Sequence, residues 1–335
     1  MTASDMPEVV ARMGFVAEPS SMHALTGGVS SDIWRVELGD RSIVVKRALA
    51  QLRVAGEWRA PLARTGAEVA WMRIAAGVRP GLTPEVLAVD RVDDTIRAFA
   101  MPYLDPTDHP LWKAELRDGR ADPCFAGEVG TAVAAIHAAT ANRDAVRSEF
   151  DDVAMFAALR LDPYLGTTAV AHPDRADVLN GLRATYLANR RVLVHGDVSP
   201  KNILVGPGGP VLLDAECATW GDPAFDPAFC CTHLLLKCRW NPGAAEALLD
   251  CALRFGDAYC RGVTWEQPSA LEARCVHLVA GLLLARVDGL SPVEYLRDDD
   301  RVAVRATARA LLVEPPDTVV GLVGAWRDSL PASPR

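Results

Sequence analysis

The chain has no block of lysines and arginines. Its 35 basic residues are scattered among 43 acids over 335 positions, for a net charge of −8. A nucleic-acid binder concentrates cations to neutralise phosphates, so that class is set aside. A role at a membrane surface is equally unsupported. Long apolar runs are missing too: residues 278–285 form the longest, too short to cross a bilayer, and read as a buried helix. The first ten residues carry Asp5 and Glu8 and no apolar stretch before a cleavage site, so no signal peptide is expected. Among eight cysteines there is no CxxC pair. Their apolar neighbours, as at Phe229-Cys230-Cys231, predict buried reduced thiols rather than disulfides or zinc, and a cytoplasmic location. No internal repeat or low-complexity segment is present.

What is present, with half the residues hydrophobic, suffices for one large core or for two lobes around a cleft. Residues 31–38 and 41–48 alternate like strands, with Gly39-Asp40 as the tight turn between them. Residues 67–76 have helical spacing closed by Gly77, and 83–90 and 95–101 read as two further strands. Pro102-Tyr103-Leu104-Asp105-Pro106 breaks the pattern and reads as a linker. Beyond it, 125–140 and 176–189 have helical periodicity, and everything after about residue 224 reads as helix. Short strands at 192–195, 203–205 and 211–213 interrupt this region. Gly206-Pro207-Gly208-Gly209 joins the last two as a hairpin turn; no GK[ST] follows it, so it is not a phosphate loop. The expected architecture is α+β, a β-rich lobe (1–102), a hinge, and a larger, mainly helical lobe (103–335).

The segment Val194-His195-Gly196-Asp197-Val198-Ser199-Pro200-Lys201-Asn202-Ile203-Leu204-Val205 carries the chemistry. A strand leads to a loop aspartate, and an asparagine opens the next strand. The hairpin then sets Asp214, after Val211-Leu212-Leu213, beside Asn202. One carboxylate and one amide oxygen suit Mg²⁺, which completes its shell with water and phosphate oxygens. Asp197 sits a loop turn away, able to accept a proton from an attacking hydroxyl.

This order matches the protein-kinase catalytic loop and its metal aspartate, with Gly196 at the position of the kinase arginine. The pattern His-Gly-Asp…Asn…Asp-x-Glu resembles the aminoglycoside phosphotransferase and choline kinase superfamily. The resemblance implies a protein-kinase-like bilobal fold and transfer of the γ-phosphoryl group of ATP, with Mg²⁺, to a hydroxyl of a small molecule. By position, Asp197 would be the catalytic base, and Asn202, Asp214 and Glu216 the metal ligands. Asp226, in Gly221-Asp222-Pro223-Ala224-Phe225-Asp226, would support the catalytic loop with a helix N-cap geometry, and Asp222 would cap or support. His195 would order the loop as a hydrogen-bond donor.

The 25–36 segment resembles the superfamily's nucleotide loop, with Gly27, Gly28, Ser30 and Ser31 facing the phosphates. Lys46 would reach the α- and β-phosphates, paired with Glu68 or, as the rival, Glu57. Met101 and Tyr103 would flank the adenine. The 214–226 segment and Leu161-Asp162-Pro163-Tyr164 are similar to methylthioribose kinases, whereas Ser199-Pro200-Lys201 departs from both groups.

Two other readings compete. An inactive nucleotide-binding module would have lost Asp197, Asn202, Asp214 or Lys46, and none is lost. A protein kinase needs a peptide-docking activation segment, and eleven residues between Asp214 and Asp226 leave no room for one. For the acceptor, the lack of a dense acidic run favours a neutral or weakly charged sugar or polyol over an aminoglycoside, with an aminoglycoside or amino alcohol as the alternative. Asp298-Asp299-Asp300 reads as a solvated helix start. Trp220 and Trp240 are candidate pocket walls, with core packing the favoured role for Trp240. Oligomeric state is not legible.

Overall fold

The computed structural model describes residues 6–25, 30–49, 51 and 61–331. A five-stranded antiparallel sheet occupies the N-terminal part: β1 (Pro19–Ala24), β2 (Ser31–Leu38), β3 (Arg41–Ala48), β4 (Ala88–Val92) and β5 (Thr95–Pro102), in the order β1-β2-β3-β5-β4. The β2–β3 register pairs Leu38 with Arg41, and Gly39 turns the corner at φ +61°, a left-handed angle that costs glycine little. Val36, Leu38, Ile43 and Val45 are buried against α1 (Met6–Arg12), whose Met6, Val9 and Val10 close that face. Helix α2 (Arg64–Val78) crosses the other face and buries Val69, Trp71 and Met72.

The remainder is mainly helical. In order come α3 (Trp112–Arg117), α4 (Pro123–Thr140), α5 (Asp144–Glu149), α6 (Val153–Phe156), α7 (Thr167–Ala171) and α8 (Ala176–Ala188). They are followed by α9 (Phe225–Trp240), α10 (Ala245–Arg261), α11 (Pro268–Asp288), α12 (Asp298–Val313) and α13 (Val319–Asp328). Two two-stranded ribbons are set among them: β6 (Val192–Val194) with β9 (Thr219–Gly221), and β7 (Ile203–Gly206) with β8 (Gly209–Leu212). Pro123 at the start of α4 has no N–H to leave unpaired, and Asp122 accepts the Cys124 amide there. Gly130 lets α4 approach α10; a Cβ at that position would lie 2.4 Å from the Phe255 carbonyl.

The strands expected at 31–38, 41–48 and 95–101 form nearly as read. That expected at 83–90 begins only at Ala88: the Leu87 amide still donates to the Ala100 carbonyl of β5, but Pro84 has no N–H to offer a ladder. All eight cysteines are free thiols, six of them buried. Among the described residues, no helix is long and apolar enough to cross a membrane.

Candidate active site

Alternation along β3 puts the Lys46 ammonium on the sheet face covered by α2. It donates to Glu68 at 2.7 Å and also to Asp214. Lys46 and Glu68 are both almost fully buried. Burial opposes charge on Lys46, but Asp214, Glu68 and Glu216 outweigh it and raise its pKa. Burial, with these carboxylates nearby, pushes Glu68 up to about 7 despite the ammonium. Glu57, Gly27 and Gly28 lie outside the described residues. Ser30 and Ser31 are buried at the start of β2, and among the described residues the Ser31 hydroxyl has no hydrogen-bond partner.

Arg64, which the sequence reading missed, joins the two halves. Its fully buried guanidinium donates to Glu216 at 3.0 Å and to the Ser30, Leu49 and Pro61 carbonyls. One side chain thus holds a candidate metal acid and the Ser30 and Leu49 backbone at the ends of the β2–β3 hairpin in a single network.

Gly196 precedes Asp197 at φ +79°, and a Cβ there would sit 2.7 Å from the Cys217 carbonyl. Only glycine fits that approach in that conformation. The loop is held from behind by Asp226, whose two carboxylate oxygens accept the His195 and Gly196 amides at 2.7 and 2.8 Å. Asp226 is therefore not an N-cap: it lies in the first turn of α9, with its carboxylate spent on the loop. Asp222 accepts the Ala224 amide at 3.0 Å and pairs with Arg274. His195 accepts the Asp197 amide on Nδ1 and donates from Nε2 to the Leu213 carbonyl at 3.0 Å, as a neutral ring does. Burial lowers its pKa accordingly.

The Asp197 carboxylate is buried but not isolated. Its Oδ2 accepts from Arg160 at 2.9 Å and faces the Lys201 ammonium at 3.1 Å, while Oδ1 has only a long contact with Ser199, 3.3 Å. Burial pushes its pKa up, yet Lys201 and Arg160 win and hold it below the usual range. Neither cation was read from the sequence. Lys201 stands four residues after Asp197, a spacing that could have flagged it. Arg160 sits in a π-helical segment (Ala157–Gly166), immediately before the Leu161-Asp162-Pro163-Tyr164 run.

The β7–β8 hairpin sets Asn202 and Asp214 together: the Leu213 amide donates to the Asn202 carbonyl at 2.9 Å. Asn202 Nδ2 donates to the Asp197 carbonyl, which turns its amide oxygen away from that contact. Asp214 takes the left-handed φ of +66°, uncommon for a residue with a side chain. Lys46 and Lys201 outweigh burial and lower its pKa, so it stays ionised. Among the described residues no three His, Cys, Asp or Glu side chains form a metal-binding set of their own. This donor set fits a hard cation that shares its shell with phosphate oxygens.

At the hinge, Met101 pairs with Val44, the Tyr103 amide donates to the Ser42 carbonyl at 3.1 Å, and Arg35 stacks 4.0 Å from the Tyr103 ring centre. The Tyr103 N–H is thus committed within the protein. Trp220 is buried in β9, whereas Trp240 is half-buried at the end of α9, its ring 4.5 Å from that of Tyr295.

A β-sheet lobe bearing Lys46, set against a helical lobe bearing Asp197, Asn202 and Asp214, is a protein-kinase-like phosphotransferase architecture. The chain belongs to the phosphotransferase enzyme family (APH), whose model matches residues 21–271. A methylthioribose kinase of Pectobacterium carotovorum subsp. carotovorum is 27% identical over 273 residues, 72% of this chain and 67% of that one. Among solved structures, an amicoumacin kinase in complex with AMP-PNP, Ca²⁺ and its ligand aligns over 95% of both chains, with TM-score 0.60 and 14% identity. A choline/ethanolamine kinase family protein from Mesorhizobium loti covers 98% of this chain and 100% of its own, with TM-score 0.52 and 19% identity. The protein is accordingly an ATP-dependent small-molecule kinase acting on a hydroxyl group.

Proposed function

We propose that this kinase transfers the γ-phosphoryl group to a hydroxyl of a sugar-like or polyol acceptor, with Asp197 as the base and Asn202 and Asp214 holding Mg²⁺. The supporting observation is that Asp197 keeps one oxygen, Oδ1, nearly free while Arg160 and Lys201 fix the other. The acceptor hydroxyl would donate to Oδ1. Its oxygen forms the new bond to the γ-phosphorus, the bond from that phosphorus to the β–γ bridging oxygen breaks, and the electron pair leaves with ADP. Asp197 takes the hydroxyl proton. A carboxylate with a depressed pKa cannot strip an alcohol in advance; it orients the hydroxyl and receives the proton as the bond to phosphorus develops.

Mg²⁺, when bound, would neutralise charge on the phosphates; Asp214 and the Asn202 amide oxygen are the groups that would hold it. Glu216, tied to Arg64, is closest to a supporting acid. Lys46, oriented by Glu68, would meet the α- and β-phosphates, Ser30 and Ser31 with Gly27 and Gly28 would line the nucleotide loop, and Met101 and Tyr103 would border the adenine. Residues 1–102 then act as the nucleotide lobe and 103–335 as the catalytic and acceptor lobe. The methylthioribose kinase relatives support a sugar-like acceptor. ADP release with Mg²⁺-ATP across sugars, sugar derivatives, aminoglycosides and amino alcohols tests this reading. Release with amino alcohols or aminoglycosides and none with any sugar-like compound would contradict the acceptor class.

A further inference from the structure

Beside the Asp197 loop the helical part of the chain buries several cations, Arg160, Lys237 and Arg286 among them. Phe229, His233 and Lys237 recur every four residues along α9 and so share one face. Phe229 lies 6.0 Å from the Arg160 guanidinium, which itself holds Asp197. Lys237 is eight residues further, on the order of 12 Å along the axis, and helical side chains lean back toward the N-terminus, here toward Asp197.

Lys237 is 1% exposed. Among the described residues its ammonium contacts no carboxylate and no hydrogen-bond acceptor, only the rings of Trp240 and Tyr295 at 4.5 and 4.6 Å; the exposed Glu294, already paired with Lys113, attracts it without touching it. Arg286, also buried, has no acidic partner among the described residues either. Its Nη1 donates to the Tyr164 hydroxyl and to the Ser291 carbonyl and hydroxyl, its guanidinium lies 5.6 Å from the centre of the Tyr164 ring, which Arg160 approaches at 6.0 Å, and only its Nε is unpaired among the described residues. The buried His233 Nε2 and the Tyr295 hydroxyl are likewise without partners. Lys113 adds a further cation 5.8 Å from the Tyr295 ring, offset by the exposed Glu294. A protein of net charge −8 has gathered four cations, Arg286, Lys237, Lys201 and Lys113, around His233, and one of them, Lys201, faces Asp197 at 3.1 Å.

Burying a cation without a counter-charge is costly, and proteins rarely retain one that nothing neutralises. We infer that the acceptor carries an anionic group, a carboxylate or a phosphate ester roughly 10 Å from the reacting hydroxyl, received by Lys237 with Arg286, His233 and the Tyr295 hydroxyl. This rests on the phosphotransfer reading and replaces the neutral acceptor that the sequence favoured. Burial pushes Lys237 down to about 7 and His233 well below its ordinary value, with Arg286 and Lys113 reinforcing both; an arriving anion would reverse that pressure.

The test is calorimetric titration in the presence of ADP and Mg²⁺, on wild-type protein and Lys237→Met, an apolar side chain of similar length. The anionic probes are ribose 5-phosphate, gluconate and lactobionate. The uncharged probes are ribose, methylthioribose and lactose, and kanamycin is the cationic one. The expected result is that at least one anionic probe binds wild type at least tenfold more tightly than its neutral counterpart, with that preference lost in Lys237→Met. Phosphate and carboxylate probes separate the two anionic chemistries. Equal or preferred binding of neutral or cationic probes, no binding of any anionic probe, or an unchanged preference in Lys237→Met overturns the inference. ADP release from Mg²⁺-ATP with a neutral acceptor would then leave the kinase reading standing, whereas loss of Mg²⁺-ATP binding by wild type would strike at that reading instead.

Discussion

Lys46 and Glu68, twenty-two residues apart, meet at 2.7 Å, and the same ammonium also reaches Asp214. One buried cation therefore spans the sheet, the helix that covers it and the residue that follows the β7–β8 hairpin. Lys46→Met would leave Glu68 buried without its ammonium, and removing one partner of a buried pair costs about 3–5 kcal/mol. Raised to about 7 already, Glu68 is expected to take up a proton and soften that loss. Differential scanning calorimetry should show a lowered Tm, and ATP should no longer raise it. A Lys46→Met protein with the wild-type ATP-induced shift would remove Lys46 from the phosphate site.

Asp214→Ala isolates the cation. Asn202 alone is a neutral ligand and a poor one for Mg²⁺. The stabilisation by ATP that depends on Mg²⁺ should vanish, since only a ligand that binds the folded state raises Tm. The comparison is ATP with Mg²⁺ against ATP with EDTA, and an unchanged difference in the variant would refute the hairpin metal site.

The catalytic hairpin was legible because its signals are local. Residues 203–213 alternate around a glycine turn, so the pairing of Asn202 with Asp214 follows from register. The β2–β3 hairpin was read for the same reason. Arg160 and Arg64 were not, since each acts on partners 37 and 152 residues away and lies in a stretch with no motif of its own. Asp226 was recognised as loop support but given cap geometry, because an aspartate near a helix start ordinarily caps it; the paired His195 and Gly196 amides compete for the carboxylate and win. The relative burial of Trp220 and Trp240 was not legible because burial depends on which face of an element meets the core. Trp220 lies on β9 opposite Leu193 of β6, whereas Trp240 is the last residue of α9.

Lys237 gives stability a pH dependence of known sign. Its folded pKa, about 7, lies below the ordinary lysine value, so between about 7 and 10 the unfolded chain binds more protons than the folded one. Stability of the unliganded protein should therefore rise with pH across that window through this group. The groups facing it are Lys113 from α3, His233 on α9, Arg286 from α11, and Glu294 and Tyr295 from the following loop. Lys237→Met should be more stable than wild type below pH 7, with the gap narrowing towards pH 10. Urea titrations at pH 6.5 and 9.5 read this directly, and a gap that is constant or widens would mean that Lys237 titrates normally.

The central claim is that Asp197 receives the acceptor's proton. It is tested by ³¹P NMR of wild type and Asp197→Asn incubated with Mg²⁺-ATP and whichever acceptor the panel identifies, with ATP binding followed by thermal shift. Wild type should accumulate ADP and a phosphate monoester in equal amounts. Asp197→Asn should keep its ATP-induced shift and form the monoester at least about a hundredfold more slowly, the usual cost of losing a general base. Monoester formation at the wild-type rate in that variant would contradict the account.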